Sequence, residues 1–278
     1  MSRLQIAVLG IAVLLFAGLY FGGSRTPTSQ KDIEKTRSKE AENATINEII
    51  GIAKTTLSES SQNEIAALES ELEIASTDTV KLAIFEELSG KWYTLKSYGA
   101  SGFYAEEIAQ LKKTALSWSI SGTVYAKCFQ ITKNQRVFNF CFDKAITAFE
   151  NAASIEPDSI VHKENLAFCY TSNNDPSKTM EGVKIYQGIL SQDQGNLKVL
   201  LRLGKLSVDV TRDYPKAINR LVKAVEVAPN NFEANYYLAQ AYAGANDKNA
   251  AKEYFRKSLV LTNDSSVKDN INQLLNNL

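Results

Sequence analysis

The second half of the sequence repeats itself with a period of about 34 to 37 residues, and this periodicity restricts the fold more than any other feature. Each unit contains two segments with the apolar spacing of helices. In the first segment a leucine precedes a small residue, as in Leu166-Ala167, Leu203-Gly204 and Leu238-Ala239. In the second segment a small residue precedes a large one by four positions, and these pairs are Ala145 and Phe149, Gly182 and Tyr186, Ala217 and Leu221, and Ala251 and Phe255. Because small residues let two antiparallel helices approach closely, the pattern predicts stacked helical hairpins.

These residues resemble the tetratricopeptide repeat, a helical hairpin with Leu-Gly-x-x-Tyr in its first helix, Ala-x-x-x-Phe/Tyr in its second helix and a terminal proline. The match is close over residues 225–261 and 197–231. It weakens toward the N-terminus, where the unit with Gly122 and Tyr125 is interrupted by an insertion over residues 128–140. The resemblance implies an all-α, TPR-like α-solenoid that binds a protein or peptide.

We divide the chain into four parts on these patterns. They are a transmembrane anchor over residues 1–23, a linker and spacer helix over 24–60, a degenerate TPR-like helical region over 61–160, and TPR repeats with a C-terminal capping helix over 161–278. The capping helix is predicted because apolar residues recur at helical spacing up to Leu278 and the last pair of a solenoid needs a cover. Ser266 is expected to cap its start.

The 21 residues between Arg3 and Arg25 carry no charge. As a helix they would span roughly 31 Å, the thickness of a hydrocarbon core. We interpret residues 4–23 as an uncleaved transmembrane helix, with a cleaved signal peptide as the alternative. Basic residues after the segment favour a cytoplasmic body, but the very short N-terminal tail favours export, and we expect the body on the periplasmic side of a bacterial inner membrane. Gly18 and Gly22 have the spacing for self-association of two such helices.

The composition offers little material for catalysis or metal binding. His162 is the only histidine and is expected to face solvent at the start of a helix. Cys128 and Cys141 could pair in an oxidising compartment, and three buried thiols are the alternative. Lys+Arg 31 balance Asp+Glu 31, so no global charge attracts nucleic acid. We predict no enzymatic activity, no cofactor, no metal site and no nucleic-acid partner.

In the tetratricopeptide register, exposed positions of the first helices line a groove. The predicted partner-binding residues are Asn165, Phe168, Lys198, Arg202, Lys205, Tyr236 and Gln240. In family members that hold a partner's C-terminal carboxylate, a Lys and an Arg four residues apart act with an Asn of the preceding first helix. Lys198, Arg202 and Asn165 occupy these positions, but the two remaining positions fall near Ser119 and Thr123, so the resemblance implies an incomplete clamp. For Phe168, Tyr236 and Tyr237 we favour a packing role over ligand contact.

These features together predict a membrane-anchored scaffold or adaptor that binds a partner peptide or helix in its groove. The alternative function is an envelope assembly or maturation factor that presents a client protein such as an apocytochrome. The competing class is an enzyme built on the helical stack.

Overall fold

The structure is a computed structural model that describes residues 43–172 and 175–278. The regular elements in these ranges are thirteen helices. They are α1 Ile46–Thr55, α2 Glu59–Ile74, α3 Asp78–Thr94, α4 Tyr98–Lys112, α5 Ala115–Ile131, α6 Gln135–Ile155, α7 Ile160–Thr171, α8 Pro176–Gln192, α9 Leu197–Asp209, α10 Tyr214–Val227, α11 Phe232–Gly244, α12 Lys248–Val260 and α13 Ser265–Asn276. The predicted anchor over residues 4–23 lies outside the described residues, and no helix within them is long and apolar enough to cross a bilayer.

The helices stack in the order of the chain. Consecutive helices from α3 to α12 pack against each other and form the antiparallel pairs α3–α4, α5–α6, α7–α8, α9–α10 and α11–α12. From α5 onward, the first helix of each pair also contacts the first helix of the next. Contacts restricted to neighbours along the stack define a solenoid, so the predicted all-α, TPR-like solenoid is confirmed for the described residues. We call the side formed by the first helices the groove face.

The close approach of the two helices in a pair depends on the small residues of the repeat pattern. Ala145, Ala217 and Ala251 are fully buried. At Gly182 in α8, an added Cβ would lie 2.8 Å from the carbonyl oxygen of Ala167 in α7. Because a backbone atom cannot move aside as a flexible side chain can, this contact has room for glycine only.

The pair α5–α6 departs from the regular repeat. The segment expected to be an insertion, residues 128–140, is almost wholly helical, because α5 continues to Ile131 and α6 begins at Gln135. Cys128 of α5 and Cys141 of α6 form a disulfide that joins the two helices. The extra residues therefore lengthen the hairpin and do not form a separate loop.

The N-terminal end of the described chain is attached to the start of α6. The backbone N–H of Ala44 donates a hydrogen bond to the carbonyl oxygen of Arg136 at 3.1 Å, and Arg136 forms an ion pair with Glu48 at 3.2 Å. The end of the predicted linker and spacer segment is thus docked on the helical body.

The C-terminal helix α13 covers the last pair. Ile271 is fully buried in a cluster with Ala239 of α11 and Phe255 of α12. The residue that caps α13 is Asp264, whose carboxylate accepts hydrogen bonds from the backbone N–H groups of Ser266 and Val267. The expectation that Ser266 caps the helix is wrong, because the helix already begins at Ser265.

Candidate binding groove

A cleft of about 430 Å³ opens on the groove face where α5, α7 and α9 meet. Three of the predicted partner-binding residues line it: Phe168 of α7, and Arg202 and Lys205 of α9. The remaining lining residues are Phe129, Gln130, Phe138, Thr171, Ser172, Leu206, Asp209 and Val210. We call this space the cationic cleft.

The base of the cationic cleft is formed by three phenylalanine rings from three helices. The rings of Phe129 and Phe168 are stacked with centroids 6.0 Å apart, and the ring of Phe138 meets Phe129 edge-on at 5.7 Å. Phe129 is buried, whereas Phe138 and Phe168 are only partly buried. We call these three residues the aromatic floor. Phe129 and Phe138 were missed by the sequence analysis because they lie in the segment interpreted as an insertion.

Two cations stand beside the aromatic floor. The guanidinium carbon of Arg202 lies 4.5 Å from the ring centroid of Phe168, and Lys205 Nζ lies 5.2 Å from the ring centroid of Tyr237. These are cation–π distances. Among residues 43–172 and 175–278, neither cation forms an ion pair with a carboxylate. Arg202 and Lys205 therefore retain their capacity to pair with an anion.

The other two residues of the incomplete clamp do not line the cleft. Lys198 Nζ forms an ion pair with Glu164 Oε2 at 2.7 Å, and Asn196 Nδ2 donates a hydrogen bond to Glu164 Oε1 at 3.0 Å. Glu164 is buried, and through these two contacts it holds α7 to the start of α9. Asn165 is partly buried and is likewise absent from the lining.

The remaining predicted residues, Tyr236 and Gln240 of α11, lie at the junction with the capping helix. Gln240 Nε2 donates a hydrogen bond to the Tyr236 hydroxyl at 3.1 Å, and that hydroxyl donates to Asn270 Oδ1 of α13 at 3.4 Å. The Tyr236 ring stacks on Phe232 at 5.6 Å. Burial raises the pKa of Tyr236, and the nearby Tyr237 and Asp209 act in the same direction. These contacts match the packing alternative for Tyr236.

His162 does not reach the groove. Its side chain is buried, with Nε2 3.2 Å from Glu156 Oε2. The expectation that it faces solvent is wrong, because a helix that begins at Ile160 places residue 162 on the same buried face as Cys169.

Burial also raises the pKa of the Cys169 thiol. Within the described part of the chain, no three His, Cys, Asp or Glu side chains form a group that could hold a metal ion.

A second cleft, of about 620 Å³, lies between α3, α4 and α5. Its lining includes small residues such as Gly90 and Ala105 and the exposed apolar side chains of Leu116 and Ile120 on α5. The lining residues Glu86 and Lys112 form an ion pair at 2.7 Å and so balance each other's charge. We call this space the apolar cleft.

Helical hairpins that stack in chain order define a helical-repeat fold. Residues 211–267 match the family model described as tetratricopeptide repeat. This part of the chain therefore matches the tetratricopeptide repeat, as its sequence pattern predicts. No curated protein matches the chain.

Solved structures of similar fold come from bacterial repeat proteins. MamA from Desulfovibrio magneticus RS-1, from residue 41 to its end, is 16% identical with a TM-score of 0.52, over 67% of this chain and 97% of that chain. The C-terminal part of a TPR repeat-containing protein from Cytophaga hutchinsonii is 16% identical with a TM-score of 0.50, over 78% of this chain and 79% of that chain. PilW, described as a widely conserved type IV pilus biogenesis factor, is 19% identical with a TM-score of 0.50, over 67% of this chain and 79% of that chain. At these identities the likeness concerns the fold.

Proposed function

We propose that this protein is a bacterial membrane-anchored scaffold that binds a segment of a partner protein along its groove face. The observation that carries the proposal is the cationic cleft, in which Arg202 and Lys205 form no ion pair with any described carboxylate and stand beside a partly exposed aromatic floor. Aromatic side chains and arginine are the residues that contribute most to binding at protein interfaces. The mechanism is binding without chemistry, and an anchor would raise the local concentration of scaffold and partner at the membrane.

Site-specific photocrosslinking in native membranes tests the proposal. A photoreactive amino acid is placed at Leu206, which lines the cationic cleft. A second variant carries it at Lys223 of α10, which lines a different cleft between α8, α9 and α10. We expect one protein to be crosslinked from position 206 and not from position 223. Equal labelling from both positions, or from neither, would contradict a groove-binding function.

The same experiment separates a scaffold from the alternative assembly or maturation factor. A scaffold keeps its partner, so crosslinks from position 206 should persist after protein synthesis is stopped. A client presented for maturation leaves when it matures, so those crosslinks should decay during a chase.

We further propose that residues 4–23 anchor the chain in the inner membrane and that the helical body lies on the periplasmic side. The Cys128–Cys141 disulfide supports this orientation, because disulfides persist in oxidising compartments. Alkaline phosphatase fused after Leu278 should be active, since that enzyme needs the same oxidising environment. Activity of a green fluorescent protein fusion instead would place the body in the cytoplasm.

A further inference from the structure

We propose that the cationic cleft recognises an acidic side chain next to a bulky apolar one in an extended segment of the partner protein. The carboxylate would pair with Arg202 and Lys205, and the apolar side chain would lie on the aromatic floor. This inference rests on the proposed function and adds the chemistry of the partner.

The aromatic floor suits the apolar half of the ligand. Phe129, Phe138 and Phe168 come from three different helices, and the Cys128–Cys141 disulfide fixes two of those helices to each other. A floor held in this way changes little on binding, so little conformational entropy is lost when a partner side chain covers it. The rings of Phe138 and Phe168 remain partly exposed and gain from being covered by an apolar group.

The two cations of α9 suit the acidic half of the ligand. Arg202 and Lys205 are three residues apart on α9 and therefore share one face of that helix. Because Arg202 lies over the Phe168 ring, its guanidinium is oriented while its N–H donors are not used by a carboxylate of the described residues. A planar guanidinium in this state is suited to bidentate pairing with a carboxylate.

The lining of the cationic cleft has a net positive charge. Asp209, one turn beyond Lys205, also lines the cleft, so its lining carries two positive charges and one negative charge. An acidic ligand is therefore attracted by the pair of cations and repelled by Asp209. This opposition provides an internal control, because removal of Asp209 should act in the opposite direction from removal of either cation.

The free donors at the cationic cleft fit a side-chain carboxylate and are too few for the carboxylate of a chain terminus. A C-terminal carboxylate is held in related proteins by several converging donors, but here Lys198 is paired with Glu164 at 2.7 Å. The hydroxyl of Thr123 already donates to the carbonyl oxygen of Ser119 at 2.8 Å. The donors that remain, Arg202 and Lys205, suit one side-chain carboxylate.

A peptide selection tests the inference with the full chain in detergent micelles. A display library of random dodecapeptides is selected against the wild type, and the enriched sequences are made as amidated, fluorescent peptides for anisotropy titrations. We expect enrichment of Asp or Glu adjacent to Phe, Trp or Leu. Binding should weaken about tenfold in Arg202→Gln and in Lys205→Gln, since each removes one charge-assisted contact. It should tighten in Asp209→Asn and stay unchanged in the matched control Lys223→Gln on α10.

The outcomes separate this inference from the proposed function. Peptides without an acidic preference that lose affinity in Leu116→Ser, at the apolar cleft, would overturn the inference and leave groove binding in place. Equal affinities for wild type and Arg202→Gln, or a requirement for a free C-terminal carboxylate, would also overturn it. A selection that enriches no peptide would count against both.

Discussion

The pair α5–α6 and the regular pairs from α7 to α12 share one way of holding two helices together, but α5–α6 adds further contacts to it. Each pair has a buried small residue in its second helix, such as Ala145 in α6, Gly182 in α8 and Ala251 in α12. In α5–α6 the helices are longer, with 17 and 21 residues, and they are joined by a disulfide and an aromatic cluster. The added turns also pack on the next repeat, since the ring of Phe129 stacks on Phe168 of α7. These added turns also carry Phe129 and Phe138, so the irregular pair supplies most of the aromatic floor.

The largest expected effect is loss of the disulfide. The double variant Cys128→Ala, Cys141→Ala should be destabilised by about 3 kcal/mol. The disulfide joins residues with a sequence separation of 13, and closing a loop of this length lowers the entropy of the unfolded chain by about that amount. Denaturant unfolding under oxidising conditions measures the change. Hydrogen exchange should show the greatest loss of protection in α5 and α6 and the least in α11 and α12.

A reducing agent provides the control for that variant. It should destabilise the wild type by a similar amount and leave the double variant unchanged. Equal stability of the oxidised wild type and the variant would mean that packing alone holds α5 to α6, as in the regular pairs.

The next effect tests small-residue packing in α8. Gly182→Ala should destabilise the protein by about 1 to 3 kcal/mol, because its methyl group would meet the Ala167 carbonyl and force the helices apart. The matched control is Gly188→Ala in the same helix, where an added Cβ meets nothing within 4 Å. That control should stabilise by about 0.5 to 1 kcal/mol through helix propensity. Thermal unfolding of both variants measures the difference, and a stabilised Gly182→Ala would remove the close contact from the account of these pairs.

The smallest effect concerns the cap of α13, which covers the last regular pair. Hydrogen bonds from the Ser266 hydroxyl and from the Val267 and Ser266 backbone N–H groups lower the pKa of Asp264. A lowered pKa in the folded state means that the stabilisation is present above the unfolded pKa of about 3.9 and is lost as the pH falls through the folded value. Asp264→Ala should therefore lower the Tm at neutral pH. The difference in Tm between this variant and the wild type should disappear in acid.

Asp264→Asn is the companion variant, since it keeps an acceptor oxygen and removes the charge. Its Tm at neutral pH should lie between those of the wild type and Asp264→Ala. A gap that stays constant between neutral and acidic pH would show that the carboxylate charge contributes nothing to the cap.

Sequence periodicity was sufficient to predict the stacked pairs, because each small residue and its large partner mark a contact that recurs in every unit. It was not sufficient at α5–α6, where the added turns of helix have no counterpart in the repeat pattern. The two phenylalanines at 138 and 142, four residues apart, were the available signal for a helix there.

The groove residues were predictable only in part, since sequence position fixes the helix face but not the partner of a charged side chain. Arg202 and Lys205 line the cationic cleft, whereas Lys198 is paired with Glu164. That pairing depends on the burial of Glu164. Its burial comes from contact between two repeats, so the sequence of one repeat alone does not predict it. The same holds for His162, whose ring contacts Glu156 at the C-terminal cap of the preceding helix.

The position of the disulfide also affects how the protein reaches its final covalent state. Cys128 and Cys141 are separated by only 13 residues, and Cys169 follows on the next first helix. A chain that leaves the ribosome or a translocation channel from its N-terminus presents the first two thiols before the third. Oxidation during emergence therefore favours the native pair by order of arrival, and folding then shields Cys169 from thiol exchange.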